Sequence, residues 1–149
     1  MNKNEILLLS AEHLSKEYHS GQKYGDDDYF LTHIEDVVSE TAALLNKFFV
    51  TNKDCESVLC VAYLHDILED TSCTIDTLLV YFSRDVVNSV LKLSKNLCVK
   101  ETYLENIKSD RYARVVKIAD SRSNMNACIK QGDFNRAKKY LKNLCYLES

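Results

Sequence analysis

The sequence predicts an all-α protein, and three observations predict it. There is no proline and there are only three glycines in 149 residues, whereas strand-and-turn proteins use both residues as punctuation. Apolar residues recur at helical rather than alternating spacing along the chain. The composition, 46% apolar and 28% charged, is that of a packed globular chain, and a chain of this length fits one domain, residues 1–149, with a core of its own. The expectation is a compact bundle of about seven to eight helices.

Glu5 to His19 carries Ile6, Leu9 and Leu14 among polar residues in a helical rhythm. Ser20 to Asp28 is the clearest loop, holding two of the three glycines and the run Asp26-Asp27-Asp28. A second helix is expected over Phe30 to Phe49, with Ile34, Val37, Val38, Leu44, Leu45 and Phe48 inward. Thr51 to Asp54 reads as a turn, with Asp54 as N-cap of a third helix that ends near Asp70. Thr74 to Phe82 and Asp85 to Leu93 are shorter helices, Lys95 to Val99 is a connection, and Glu101 to Ile107 is helical. Arg111 to Lys130 makes a long helix and Gly132 to Leu147 the last. There is no internal repeat, linker or low-complexity segment.

The bulk properties exclude several classes of function. A net charge of −3 is no signature of nucleic-acid binding, so any anionic ligand must meet a local basic cluster or a metal. No stretch approaches the roughly 20 apolar residues of a membrane span, and the first 20 residues lack the apolar run and cleavage site of a signal peptide. The six cysteines include no C-x-x-C pair for zinc or redox chemistry. Reduced thiols in a cytoplasmic protein are expected. Oligomeric state is left open by the pattern.

One stretch breaks the helical routine. In "AYLHDILEDT", residues 62–71, the ionisable groups His65, Asp66, Glu69 and Asp70 fall within an otherwise apolar helix. Residues three and four apart share a helix face, which gathers Asp66, Glu69 and Asp70 and sets His65 below Glu69. Three carboxylates on one face raise each other's pKa values. A divalent cation removes that conflict, and imidazole with carboxylates suits a transition metal. The alternative is a set of solvated groups at a helix C-terminus, although acids there oppose the helix dipole.

Two other places bear on the choice. His33 follows the acidic loop. In "RYARVVKIADSRSNM", residues 111–125, Arg114, Lys117, Asp120 or Ser121, and Asn124 follow a stripe of spacing three to four inside an apolar helix. That stripe reads either as an ordinary solvated face with i,i+3 ion pairs or as part of a site.

Together, His33, His65-Asp66 and Asp120 resemble the H…HD…D signature of HD-domain metal-dependent phosphohydrolases. "HSGQKYGDDDYFLTHIEDVV" resembles the pattern His-x-Gly-Gln, short loop, Pro-Tyr, metal His. "AYLHDILEDT" resembles Leu-His-Asp-x-x-Glu-Asp-Thr, and "ARVVKIADSRSNM" resembles Ala-Arg-x-Val-Lys-x-Ala-Asp-x-x-x-Asn-Met. These patterns belong to the hydrolase domain of RelA/SpoT-type alarmone enzymes, and the single-domain small alarmone hydrolases are the nearest form. "RAKKYLKNLCYL" is similar to the closing helix of that family, so the resemblance spans residues 5 to about 147.

The resemblance implies that His33, His65, Asp66 and Asp120 hold one divalent metal, manganese. It implies that Glu69 and Asp70 orient and activate water, that Asn124 lies near sugar and phosphate, and that Lys23 lies against the nucleobase. Lys117, Arg114 and Arg122 are further candidates for positive charge. The implied reaction is hydrolysis of the 3′-pyrophosphate of (p)ppGpp to GDP or GTP and pyrophosphate, with a small nucleotide as substrate and neither nucleic acid nor membrane as partner. The Gln22–Tyr29 loop departs from the pattern: it has one base, Lys23, and Asp28 stands where proline is usual. Two rival readings therefore accompany the first. One is a phosphohydrolase for another phosphorylated nucleotide or a dinucleotide cofactor. The other is a non-catalytic nucleotide binder, which has no need of the Glu69-Asp70 pair.

Overall fold

Helices account for most of the chain in the computed structural model, which describes residues 1–149. In chain order they are α1 (Lys3–Tyr18), α2 (Glu35–Phe48), α3 (Asn52–Leu64), α4 (Ile67–Asp70), α5 (Ile75–Tyr81), α6 (Arg84–Leu93), α7 (Tyr103–Lys108), α8 (Arg111–Lys130) and α9 (Phe134–Glu148). A π-helical turn, Phe30–Ile34, runs directly into α2, and 3-10 turns at Lys95–Leu97 and Lys100–Thr102 link α6 to α7. The all-α expectation holds.

Local chemistry fixes most of the ends. Asn2 and Glu5 form a reciprocal capping box at α1. Thr74 and Ser83 accept backbone N–H bonds at the starts of α5 and α6. Asp110 caps α8, accepting from the N–H groups of Tyr112 and Ala113. That helix stops before Gly132, whose φ of +75° is a conformation that other residues adopt at a cost.

The core has α3 and α8 at its centre. Val58, Val61 and Leu64 of α3 are fully buried, as are Val115, Ile118 and Ala119 of α8. Around them pack α1 and α2, then α6, α7 and α9, with α9 lying along α8. Fully burying one such aliphatic side chain contributes about 1.5–3 kcal/mol, so this centre rigidly sets the relation between the elements that carry the site.

Several expectations need correcting. Thr51, not Asp54, caps α3: its hydroxyl accepts the Asp54 N–H at 3.1 Å. Asp54 instead accepts from the Tyr112 hydroxyl at 2.6 Å and pairs with Arg111, tying α3 to α8. The buried face of α1 is Ala11, Leu14 and Ser15, whereas Ile6 and Leu9 are exposed. The Ser20–Asp28 loop contains a small antiparallel hairpin, β1 (Lys23–Tyr24) with β2 (Asp27–Asp28). Its two-residue turn is led by Gly25 at φ +63°, the position where such hairpins need glycine.

The largest departure lies in residues 65–66. The predicted third helix does not run unbroken to Asp70. It ends at Leu64, Asp66 adopts φ −104° and ψ 0°, and a single turn, α4, follows. That bridge conformation is open to aspartate. It frees the Asp66 carboxylate to turn toward residues of other elements instead of standing on one helical face with Glu69 and Asp70.

Candidate metal centre and the cavity around it

Three elements bring four ionisable side chains together. The π turn contributes His33, the α3–α4 junction contributes His65 and Asp66, and the middle of α8 contributes Asp120. The ligating atoms all lie within 4.8 Å of one another. His33 Nε2 is 3.1 Å from Asp120 Oδ1 and 3.5 Å from Asp66 Oδ2. His65 Nε2 is 3.0 Å from Asp66 Oδ2 and 3.5 Å from Asp120 Oδ1.

The donor set fits a divalent cation. His65 Nδ1 donates to the Ala62 carbonyl oxygen at 2.7 Å, which leaves a lone pair on Nε2. That buried Nε2 has no hydrogen-bond partner of its own, and it faces two carboxylates. Lone pairs of nitrogen and oxygen thus converge on one space, which only protons or a cation make favourable. Two imidazoles and two carboxylates are a mixed set of the kind transition metals take.

The titration behaviour agrees. Burial opposes charge on both imidazoles, but the neighbouring carboxylates outweigh it, raising His33 to about 9 and His65 well above its ordinary value. Burial likewise opposes ionisation of the acids. His65 and His33 nonetheless hold Asp66 below the usual carboxylate range, and Lys117, followed by the same histidines, holds Asp120 there.

Further side chains fix these four. The Tyr29 hydroxyl donates to Asp66 Oδ2. Lys117 Nζ donates to Asp120 Oδ2 at 2.9 Å, and Asn124 Nδ2 to Asp120 Oδ1 at 3.1 Å. Tyr24, from the hairpin, stacks on the His33 ring at 5.0 Å with 9° between the planes, and its hydroxyl donates to Asn124 Oδ1 at 2.8 Å. Such partners orient metal ligands and restrict their motion.

The Glu69-Asp70 pair opens onto the same space. Glu69 is half-buried, and Glu69 Oε1 accepts from the Asn96 backbone N–H at 3.2 Å. Burial, then the Asp66 charge, pushes its carboxyl above the ordinary value. Asp70 is exposed and accepts from Gln22 Nε2 at 3.2 Å. The cavity around these groups measures about 530 Å³, within the range of small-molecule sites. Its lining includes the His-Asp cluster with Glu69 and Asp70, and also Lys95, Lys100 and Glu101, before α7, and Lys139, Tyr140 and Asn143 of α9.

The structure brings His33, His65, Asp66, Asp120, Glu69, Asp70, Lys117 and Asn124 to one cavity. Lys23 is different: it is exposed on β1 and is not part of the cavity wall. Lys117 and Asn124 already spend polar atoms on Asp120. Arg114 and Arg122, candidates for added positive charge, lie elsewhere: Arg114 Nε donates to the Leu147 carbonyl at 2.7 Å, and Arg122 pairs with Glu148. The positive wall is made instead by Lys95, Lys100 and Lys139, which sequence reasoning did not single out. Only the spacing of Lys139 and Asn143, one helical turn apart on α9, could have hinted at a shared face.

The structure is an all-α domain in which two histidines and two aspartates form a cluster that could hold a metal ion. No protein-family model and no curated protein matches the sequence. Among solved structures, this chain is similar to a protein described as a metazoan ortholog of SpoT that hydrolyses ppGpp and plays a role in starvation responses. The TM-score is 0.69 at 20% identity, covering 95% of this chain and 84% of that one. The two chains share their fold.

Proposed function

We propose that this protein is a manganese-dependent hydrolase that removes the 3′-pyrophosphate of (p)ppGpp, giving GDP or GTP and pyrophosphate. The observation that carries the reading is the pairing, in one cavity, of the His33–His65–Asp66–Asp120 cluster and its adjacent acids with a wall of lysines. A substrate with phosphates at two positions suits a cavity whose lining joins a candidate metal site to Lys95, Lys100 and Lys139. The similar protein of known structure, described as hydrolysing ppGpp, supports the choice of substrate.

A divalent cation held by the four ligands would supply positive charge against the phosphate and acidify water. The protein's own groups do the rest. Glu69, its carboxyl raised by burial, accepts a proton from the attacking water. Asp70, tethered through Gln22, orients that water. The water oxygen bonds to the phosphorus next to the 3′ oxygen as the bond from that phosphorus to the 3′ oxygen breaks. The 3′ oxygen takes up a proton from solvent and is left as the nucleotide's 3′ hydroxyl. Lys95, Lys100 and Lys139 bind the remaining phosphate charge. The cysteines form no disulfide, and no helix is long and apolar enough to cross a membrane.

The test is a product assay with manganese over ppGpp, pppGpp, NADPH and common nucleotides. Pyrophosphate is expected from ppGpp and pppGpp, and its absence with both would overturn the reading. Glu69→Ala is expected to keep metal and lose about 10²–10⁴-fold in turnover, whereas Asp66→Ala loses metal as well. A second reading, hydrolysis of another phosphorylated nucleotide, is favoured by one observation. Tyr24 covers His33 and engages Asn124, while Lys23 is exposed and no part of the cavity wall, so the hairpin offers an aromatic ring where basic contacts to the base were expected. Release of single phosphates from another nucleotide on the panel would support it.

A further inference from the structure

His19 is fully buried behind the site, and nothing in the reaction described above uses it. Its Nδ1 lies 2.7 Å from Gln22 Oε1, and Gln22 Nε2 lies 3.2 Å from Asp70 Oδ2. The directions of these bonds are fixed by chemistry. A carboxylate only accepts, so the Gln22 amide must turn its NH₂ to Asp70 and its oxygen to His19. His19 must then donate from Nδ1. Its Nε2 is buried without a partner, and a proton there would be an orphaned donor costing about 1–3 kcal/mol. The ring is thereby held in the Nδ1–H tautomer. The same ring also packs on Tyr29, centroids 5.1 Å apart, and Tyr29 donates to Asp66.

We propose that His19 and Gln22 are positioning residues: a one-way chain of hydrogen bonds, His19 Nδ1–H to Gln22 Oε1 and Gln22 Nε2–H to Asp70, aims the Asp70 carboxylate at the reacting water. Asp70 is exposed and no other side chain holds it, so without Gln22 it rotates freely into solvent. A hydrolytic step that depends on its placement then slows, because misplacement of a catalytic group by about 1 Å costs roughly 100-fold. Gln22 makes no bond to the His-Asp cluster, so its removal leaves the cluster's own hydrogen bonds in place. This inference rests on the proposed hydrolysis for its kinetic consequence, while the chain of hydrogen bonds exists with or without turnover.

The experiment combines kinetics with imidazole NMR. Gln22 is part-exposed, so Gln22→Leu leaves the core intact. It is expected to lower kcat on ppGpp by about 100-fold with KM, manganese content and Tm unchanged. His19→Leu is expected to lower kcat similarly, with some loss of Tm because this buried ring also packs on Tyr29. His19→Asn, whose amide places a donor where Nδ1 stands, is expected to restore kcat to within about threefold of wild type. Long-range ¹H–¹⁵N spectra of the wild type should show His19 as the Nδ1–H tautomer, with that proton lost or shifted in Gln22→Leu. Wild-type kcat in fully metallated Gln22→Leu, or an Nε2–H tautomer at His19, would overturn the proposal. If the wild type cleaves no nucleotide, the functional reading falls. The tautomer then decides the chain alone: Nδ1–H supports it and Nε2–H sinks it.

Discussion

Lys117 and Asp120 show how one residue can belong to a site without touching its substrate. The Lys117 ammonium sits 2.9 Å from Asp120 Oδ2, over the Tyr103 ring, with little exposure of either charged partner. Burial alone would lower its pKa, yet the Asp120 charge overcomes that and raises it. Removing one partner of such a pair leaves the other charge uncompensated, at a cost of about 3 kcal/mol. Lys117→Met is therefore expected to lower Tm by roughly 6–12 °C for a chain of this size. KM should move less than stability does, because the ammonium is spent on Asp120. Thermal unfolding beside steady-state kinetics checks this. An unchanged Tm with a greatly raised KM would return Lys117 to the role of a direct phosphate contact.

At the scale of elements, the α8–α9 pair separates structural cations from cavity cations. Arg114 and Arg122 of α8 clasp the C-terminal turn of α9 through the Leu147 carbonyl and Glu148. Lys139, on another face of α9, lines the cavity. Arg114→Leu is expected to cost about 1–2 kcal/mol by leaving that carbonyl without its donor, with turnover per folded molecule unchanged. Lys139→Ala should leave Tm alone and raise KM. Equal effects of the two variants on KM would contradict this division. The same pair shows what the sequence made legible. The span of α8 was read correctly because its apolar period is long, an Asp precedes it and a Gly follows it. The His33, His65, Asp66 and Asp120 cluster was legible through its resemblance to the H…HD…D signature, since local chemistry alone left solvated helix-end groups as an alternative. The break at Asp66 was not, since helical spacing continues across it and only contacts from Tyr29 and His33 reveal where the carboxylate turns. The hairpin was too short to produce an alternating pattern. The lysine wall was hidden because Lys95, Lys100 and Lys139 come from separate segments, and each alone looks like a solvated surface residue.

Across the whole molecule, the His-Asp cluster is a cross-link between the π turn before α2, the α3–α4 junction and α8, so its occupancy is coupled to the stability of the entire core. The pH dependence of that coupling has a definite sign. In metal-free protein His33 is raised from 6.5 to about 9, and His65 moves the same way. Their contribution to stability is complete below pH 6.5 and is lost as pH rises through the folded-state values. Asp66 and Asp120 lie below their ordinary 3.8, so their contribution is present above that pH and is lost only in stronger acid. Metal binding requires the imidazoles deprotonated, so a divalent metal bound here would replace protons and its affinity would rise with pH. Metal-free protein should therefore lose Tm between pH 6.5 and 9, and manganese should restore it most at the alkaline end. At a free metal concentration 100 times Kd the gain is about 2.7 kcal/mol, roughly 5–10 °C here. Thermal unfolding with manganese and with chelator, at pH 6.5 and 8.5, measures both limbs. A manganese shift that is the same at both pH values, or that survives in Asp66→Ala, would mean that the stabilising ion binds somewhere other than between these two histidines and two aspartates.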